Sequence, residues 1–258
     1  MSFKFDHLSC GYHGKAVIED ICFELNAGEV VCILGPNGIG KTTFFKTAQG
    51  FLPPIVGKVC INGIDIARMA RKDIAKQIAY VPQTKGQPFD YTVFDMILMG
   101  RASFVGNFSA PSDKDRDICI RIMEDMGMTH LQNKLFTEIS GGEQQLVLIG
   151  RALVQQPKFL MMDEPTSNLD FSNQVVLLKK VNALAKMGIG ILMITHSPDH
   201  ALICADRVAL FSKDKRVLIG SPKEVISAET LLTAYGVHVR LVSLKDDAYE
   251  INTCVPII

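Results

Sequence analysis

The sequence carries no excess charge of either sign, because 27 Lys and Arg residues balance 27 Asp and Glu. A general nucleic-acid binder needs a basic footprint to displace counterions from phosphates, so that class is set aside. No stretch approaches the roughly 18 uninterrupted apolar residues that a membrane-spanning helix requires. The first residues, Met1-Ser2-Phe3-Lys4-Phe5-Asp6, alternate as in a strand and form no secretory h-region. The seven cysteines, an odd number, contain no C-x-x-C pair, and Cys32 sits inside the apolar run Val30-Val31-Cys32-Ile33-Leu34. They read as small buried hydrophobes in a reducing cytosol, not as a disulfide framework. Internal repeats and low-complexity tracts are missing as well. The expectation is a cytosolic protein whose contact with any membrane runs through a partner.

What is present is material for a core: 48% of the 258 residues are hydrophobic, which suits one large α/β domain or two small ones. β-rich segments open the chain at 3–8 and 18–25. Val30 to Leu34 is continuously apolar, the mark of a strand buried on both faces. A glycine loop follows, then a helix from about Lys41 to Gly50. Lys58-Val59-Cys60-Ile61, Asn62-Gly63 and Ile64-Asp65-Ile66 read as a hairpin with a tight turn. A helix over 68–77 precedes an apolar strand at 78–81. From about Gln83 to Gly150 helical periodicity replaces strand-like runs, so 83–150 reads as a helical insertion. Strands at 159–162 and 189–195 then flank a helix over 173–186. Strands alternating with helices predict an α/β fold with a parallel sheet covered on both faces.

Gly35-Pro36-Asn37-Gly38-Ile39-Gly40-Lys41-Thr42 fits G-x-x-x-x-G-K-[ST] at every fixed position. Glycines let consecutive backbone N–H groups curl around phosphates, and a helix N-terminus adds its positive dipole end. Lys41 reaches the β- and γ-phosphates in such a loop, and the Thr42 hydroxyl ligates Mg²⁺; Thr43 continues the nucleotide-binding set. A chance match in a chain of this length is on the order of one in a hundred. A plain glycine turn would leave the lysine unexplained.

Phe159-Leu160-Met161-Met162-Asp163-Glu164 is an apolar strand ending in two carboxylates. Mg²⁺ prefers oxygen ligands and keeps several waters, so Asp163 is the candidate metal carboxylate, directly or through water. Glu164 points elsewhere and is the candidate acceptor of a proton from attacking water. Two acids at a strand end are commonly solvated surface; downstream of a phosphate loop the chemical reading prevails.

Ile139-Ser140-Gly141-Gly142-Glu143-Gln144-Gln145, some twenty residues before that pair, resembles the signature of ABC ATPases, a P-loop NTPase family. The resemblance spans nearly the whole chain. It implies a P-loop core with an N-terminal antiparallel β subdomain (1–82 and 151–258) and a helical subdomain bearing the signature (83–150). It implies nucleotide contacts by Ser140, Gly141, Gly142 and Glu143 and stacking of Tyr12 on adenine. It makes Gln83 a Q-loop glutamine that senses Mg²⁺ or water, Ser167-Asn168-Leu169-Asp170 a D-loop, and His196 a switch histidine facing the γ-phosphate. Departures are mild: Ile39 and Thr42 replace a commoner serine, Ile139 replaces leucine, and Asn168 stands where alanine is frequent. The other five histidines carry no comparable signal.

The family works as ATP-sandwiched dimers, so one copy of each motif implies a second ATPase subunit, taken as an identical copy. The resemblance further implies a polytopic membrane permease, an extracytoplasmic binding protein reached indirectly, and a place at the cytoplasmic face of the inner membrane. Phe89, Tyr91, Phe94, Met96, Met99, Phe104 and Phe108 form an irregular apolar run in the insertion; some are expected to line a groove for a permease helix. Leu98-Met99-Gly100-Arg101, Leu169 to Gln174 and Pro198-Asp199-His200-Ala201-Leu202 look like the metal-chelate importer branch, which handles ferric siderophores, haem, cobalamin and molybdate. An exporter subunit and a soluble ABC ATPase without transport share the ATP chemistry and stay open. The apolar tail Val255-Pro256-Ile257-Ile258 has two possible docking places, a partner or the chain's own core.

Overall fold

Buried phenylalanines alternate with exposed residues along β1 (Ser2–Tyr12), which pairs antiparallel with β2 (Lys15–Asn26). β3 (Val30–Leu34) is buried at every position, as a strand covered on both faces must be. It runs through the phosphate loop into α1 (Lys41–Ala48). β4 (Val56–Ile61) and β5 (Ile64–Asp65) follow, joined by Asn62 and Gly63 with φ of 50° and 80°, the double left-handed turn that favours this dipeptide. These details come from a computed structural model, which describes residues 1–83, 90–105, 110–246 and 249–257.

The helix expected over 68–77 is broken. A single 3-10 turn (Ile66–Arg68) is capped by Asp65, and extended Met69 and Ala70 separate it from α2 (Arg71–Gln77). The chain reverses there to enter β6 (Ile78–Val81). Next come α3 (Val93–Leu98), a 3-10 turn (Met99–Ser103), α4 (Asp113–Met126) and α5 (Gly141–Leu153). β7 (Phe159–Asp163), α6 (Phe171–Lys186), β8 (Gly190–Ile194), α7 (Pro198–Cys204) and β9 (Arg207–Phe211) restore strand–helix alternation. β10 (Val217–Gly220), α8 (Pro222–Val225) and α9 (Ala228–Tyr235) precede a terminal hairpin of β11 (Val239–Asp246) and β12 (Tyr249–Pro256).

Among the described residues three sheets form, ordered β2-β1-β4-β5, β10-β9-β3-β8-β7-β6 and β11-β12. In the six-stranded sheet β3 lies between parallel β8 and β9, and only β10 runs antiparallel. The two faces of β3 serve different cores. Val31 and Ile33 pack with Phe3, Phe5, Phe44 and Phe211 toward the antiparallel sheet. Val30, Cys32 and Leu34 join the cluster built by α3 to α7. The Phe5 and Phe44 rings meet edge-on at 4.8 Å, a geometry that adds to their burial. This anchors α1, and so the loop before it, to the first strand.

A buried ion pair fastens the 99–105 segment. Arg101 Nε lies 2.7 Å from Asp115 Oδ1, and Arg101 Nη1 donates to Val154 O at 2.8 Å. The guanidinium also sits 3.8 Å above the Phe104 ring. The C-terminal tail packs on its own chain: Val255 and Pro256 pair with Arg240 and Val239, and Cys254 N–H donates to Asp199 Oδ1 at 2.8 Å.

Candidate functional site

The phosphate loop leaves β3 at a glycine with no room for a side chain. Gly35 has φ 149°, and a Cβ there would stand 2.7 Å from Phe211 O. At the loop's end Gly40, φ 111°, abuts Val17 of β2, where a Cβ would come within 2.8 Å. Both positions demand glycine on conformational grounds as well. Lys41 is only 6% exposed. Its Nζ donates to Gly35 O at 2.6 Å and Pro36 O at 3.0 Å, so the ammonium stands at the mouth of its own loop. Burial pushes its pKa down, and the nearby Glu164 and Asp163 charges oppose that. Asn37, Gly38 and Thr42 are exposed, and Thr43 is buried. One contact had no signal in sequence: the Gly35 N–H donates to Tyr235 Oη on α9 at 2.8 Å.

The acidic pair forms where β7 ends. Asp163 Oδ2 accepts from the Tyr80 hydroxyl at 3.2 Å. Burial raises the Asp163 pKa, the Tyr80 bond opposes the rise, and neighbouring Glu164 adds to it. Glu164 takes the left-handed conformation, φ 49°, uncommon for a residue with a side chain. That turn aims its carboxylate away from Asp163 and into a cluster. Glu164 Oε1 is 2.5 Å from His196 Nε2, and Oε2 accepts from Gln83 Nε2 at 3.3 Å. Gln83 Nε2 also donates to Ser167 Oγ at 3.1 Å, and Ser167 Oγ donates back to Glu164 O at 2.8 Å. Three strand ends thus deliver four polar side chains to one place: Gln83 just past β6, Asp163 and Glu164 from β7, and His196 just past β8.

The residues Ser140 to Glu143 close on themselves at the start of α5, and a Cβ on Gly141 would lie 3.9 Å from Asn168 O, one residue past Ser167. The Ser140 N–H and Oγ–H donate to Glu143 Oε2 at 2.8 and 2.7 Å, and Glu143 N–H donates back to Ser140 Oγ at 3.3 Å. This capping box satisfies the first orphan donors of the helix, and the Ser140 bonds hold the Glu143 carboxyl below its usual range. Gly142 packs on the Asn173 side chain at the start of α6, where a Cβ would meet it at 2.6 Å. Tyr12 ends β1 on the hairpin whose Val17 abuts Gly40, and it is 42% exposed.

The expected groove is only partly formed by the residues named for it. Tyr91 and Met99 are exposed and, with Leu98, Val105 and Pro111, line a cavity of ≈ 580 Å³. Met96 is buried in the core and Phe94 packs against it, since helical spacing turns both inward. Phe104 lies under Arg101. Phe89 and Phe108 lie outside the described residues.

Comparison with known proteins gives a consistent picture. The family model described as "ABC transporter" matches residues 18–167. The chain is 37% identical over 235 residues to an uncharacterised ABC transporter ATP-binding protein of Haemophilus influenzae, covering 91% of this chain and 89% of that one. It is 32% identical over 243 residues to the iron(3+)-hydroxamate import ATP-binding protein FhuC of Bacillus subtilis, covering 94% and 90%. Among solved structures, a chain from an inward-facing ABC transporter assigned to the metal-chelate type superposes with a TM-score of 0.89 at 28% identity, covering 100% of this chain and 98% of the other. The ADP conformation of MJ1267, an ATP-binding cassette, superposes at 0.81 with 26% identity, covering 91% and 98%.

Proposed function

The chain belongs to the ABC transporter ATP-binding family, an ATPase family, and from that premise we propose that it powers an importer for a ferric siderophore or related metal chelate. The observation that carries the hydrolytic reading is the contact of Glu164 with His196 and Gln83, one residue from Asp163. Phosphoryl transfer asks a protein mainly for positioning and charge neutralisation. Lys41, the loop amides and the N-terminus of α1 supply them on one side of the triphosphate. Glu164 takes the proton from the attacking water, His196 meets the γ-phosphate, and Gln83 orients the water. Tyr12 stacks on adenine.

The donor set fits Mg²⁺. The Thr42 hydroxyl, the Gln83 side-chain carbonyl and the Asp163 carboxylate are hard oxygen donors. Burial and the neighbouring Glu164 raise the Asp163 pKa, so a cation held there would favour its ionised form. Among the described residues no group of three or more His, Cys, Asp or Glu is placed to hold a metal alone, so phosphate oxygens complete the shell. When bound, the ion neutralises charge developing on the β- and γ-phosphates.

The chain carries one copy of each motif, so a second copy presents Ser140 to Glu143 to the nucleotide, in a head-to-tail dimer that closes on ATP. The division into a core (1–82 and 151–258) and a helical subdomain (83–150) belongs to this reading, with the Tyr91–Met99 groove receiving a permease helix. Among the described residues no helix is long and apolar enough to cross a membrane, so attachment at the cytoplasmic face runs through that permease. Cargo class rests on relatives such as FhuC and on the metal-chelate neighbour. The test is recovery of tagged Glu164→Gln protein with ATP from native membranes in mild detergent. A co-purifying polytopic permease that imports a ferric siderophore when reconstituted with the wild-type chain is the expected result. Recovery of soluble proteins alone overturns the importer in favour of a soluble ATPase.

A further inference from the structure

We propose that His200 is a positioning residue for ATP hydrolysis, tying the loop that carries Glu164 to the loop that carries His196. The inference rests on the hydrolytic roles proposed for those two side chains.

His200 Nδ1 lies 3.2 Å from Thr166 Oγ1 and 3.4 Å from Thr195 Oγ1. Thr166 follows Glu164 by two residues, and Thr195 immediately precedes His196. Both threonines are buried. The Thr195 oxygen already accepts from Ser197 N–H at 3.2 Å, so its own hydrogen is available to His200. Burial lowers the His200 pKa, which favours the neutral ring, whose single Nδ1 lone pair is shared between the two threonine hydroxyls. One ring nitrogen therefore bridges two loops that meet nowhere in sequence.

The backbone that carries the ring is itself well held. His200 is the third residue of α7, and its N–H donates to the Ser197 cap at 3.3 Å. Asp199 beside it accepts from Thr253 Oγ1 at 3.1 Å and Cys254 N at 2.8 Å, pinning the first turn of α7 to β12. Cys204 Sγ donates to His200 O at 3.1 Å. What the bridge restrains is costly to hold. The left-handed backbone of Glu164 persists only where its surroundings over-determine it. The Glu164 N–H bond to Ile194 O, 3.1 Å, fixes one side of that turn, and the Thr166–His200 contact fixes the other. The hydrogen bonds of His200 and of the two threonine hydroxyls run to one another and to Ser197, so the restraint bears on hydrolysis more than on nucleotide capture.

The experiment measures steady-state ATP turnover and ATP affinity of the full chain for wild type, Glu164→Gln, His200→Ala, His200→Asn and Thr166→Val. Asparagine carries a polar atom where His has Nδ1, so it restores the bridge; alanine does not. A misplacement near 1 Å costs up to about 100-fold in rate, and partial loosening of the turn is expected to lower kcat by roughly 10-fold. Expected are that loss in His200→Ala with KM for ATP within about twofold, recovery of most of kcat in His200→Asn, a matching loss in Thr166→Val, and no further loss in the Thr166→Val/His200→Ala double variant. Unchanged kcat in folded His200→Ala, or failure of asparagine to recover turnover, overturns the proposal. If His200→Ala does not fold, Thr166→Val decides: normal turnover overturns the bridge and a kcat-only defect supports it. Full turnover by Glu164→Gln would instead overturn the hydrolytic roles, whatever His200 does.

Discussion

The hydroxyl of Tyr235 accepts the backbone N–H of Gly35 at 2.8 Å, joining the first residue of the phosphate loop to a helix 200 positions later. Burial pushes the Tyr235 pKa up to about 12, so the phenol stays neutral under physiological conditions. Tyr235→Phe keeps the ring and strips the acceptor, leaving a buried N–H unpaired. That costs about 1–3 kcal/mol, or a fall of roughly 2–10 °C in Tm. Thermal unfolding monitored by circular dichroism checks the stability. The KM for ATP should rise severalfold as the loop base loosens, with kcat retained at saturating ATP.

Lys41→Ala removes an ammonium held between Gly35 O and Pro36 O. Hydrogen bonds to a charged group contribute about 1.5–3 kcal/mol, so ATP affinity should weaken by roughly 10- to 150-fold. Titration with a fluorescent ATP analogue measures this, and wild-type affinity would contradict the role of Lys41 at the phosphates.

Glu164→Gln keeps the size of the side chain and an acceptor for Gln83 while abolishing the proton acceptor. General-base catalysis is worth typically 10²–10⁴-fold, and turnover should fall by about that factor. ATP binding should persist, and with hydrolysis stalled the protein should accumulate as a dimer in size-exclusion chromatography with ATP. Near-normal phosphate release would remove Glu164 from the mechanism.

Acid should loosen the Arg101 clamp. Bonds from Ser112 and then from the Arg101 guanidinium hold the Asp115 carboxyl down at about 2, from an ordinary 3.8. A carboxyl with a depressed folded pKa contributes stability above its unfolded pKa and loses it as pH falls toward the folded value. The contribution is therefore full at neutral pH and fades between about pH 4 and pH 2. Urea unfolding of wild type and Asp115→Asn should differ by roughly 3–5 kcal/mol at pH 7, as expected when one partner of a buried pair is removed. The gap should narrow, without closing, as the pH drops below about 4. A gap independent of pH would assign the effect to packing.

Much of the site was legible because its signals are local. The phosphate loop is eight consecutive residues between an apolar strand and a helix, and the Ser140–Glu143 box is a four-residue cap. Asn62-Gly63 marked its own hairpin. Glu164 was singled out by the acidic strand end, Gln83 and His196 by resemblance, and their convergence depends on β6, β7 and β8 lying side by side, which no local pattern records. The contacts of His200 and Tyr235, residues the sequence places only in stretches similar to the importer branch, were missed for the same reason in sharper form. A histidine in the first turn of a short helix and a tyrosine near the end of another look ordinary until the strands bring their partners beside them. Tyr80 is similar: its hydroxyl reaches Asp163 only through the pairing of β6 with β7. The break at Met69-Ala70 escaped notice because neither residue disfavours helix. In the apolar run at 89–108 composition did not separate core from surface: Met96 and Phe94 pack inward, while Tyr91 and Met99, just outside the two ends of α3, stay exposed.

The placement of β3 between β8 and β9 also sets a timetable for biosynthesis. The antiparallel sheet draws all four of its strands from the first 65 residues, so it has its parts early in translation. Val30 and Val31 instead wait for Ile191 and Leu192, some 160 residues later, or roughly 8–30 s at ribosomal speeds of about 5–20 residues per second. Until then β3 has no strand to pair with, and the glycine loop after it has no floor. A nascent chain released before residue 190 would carry the nucleotide motif in full and still hold nothing.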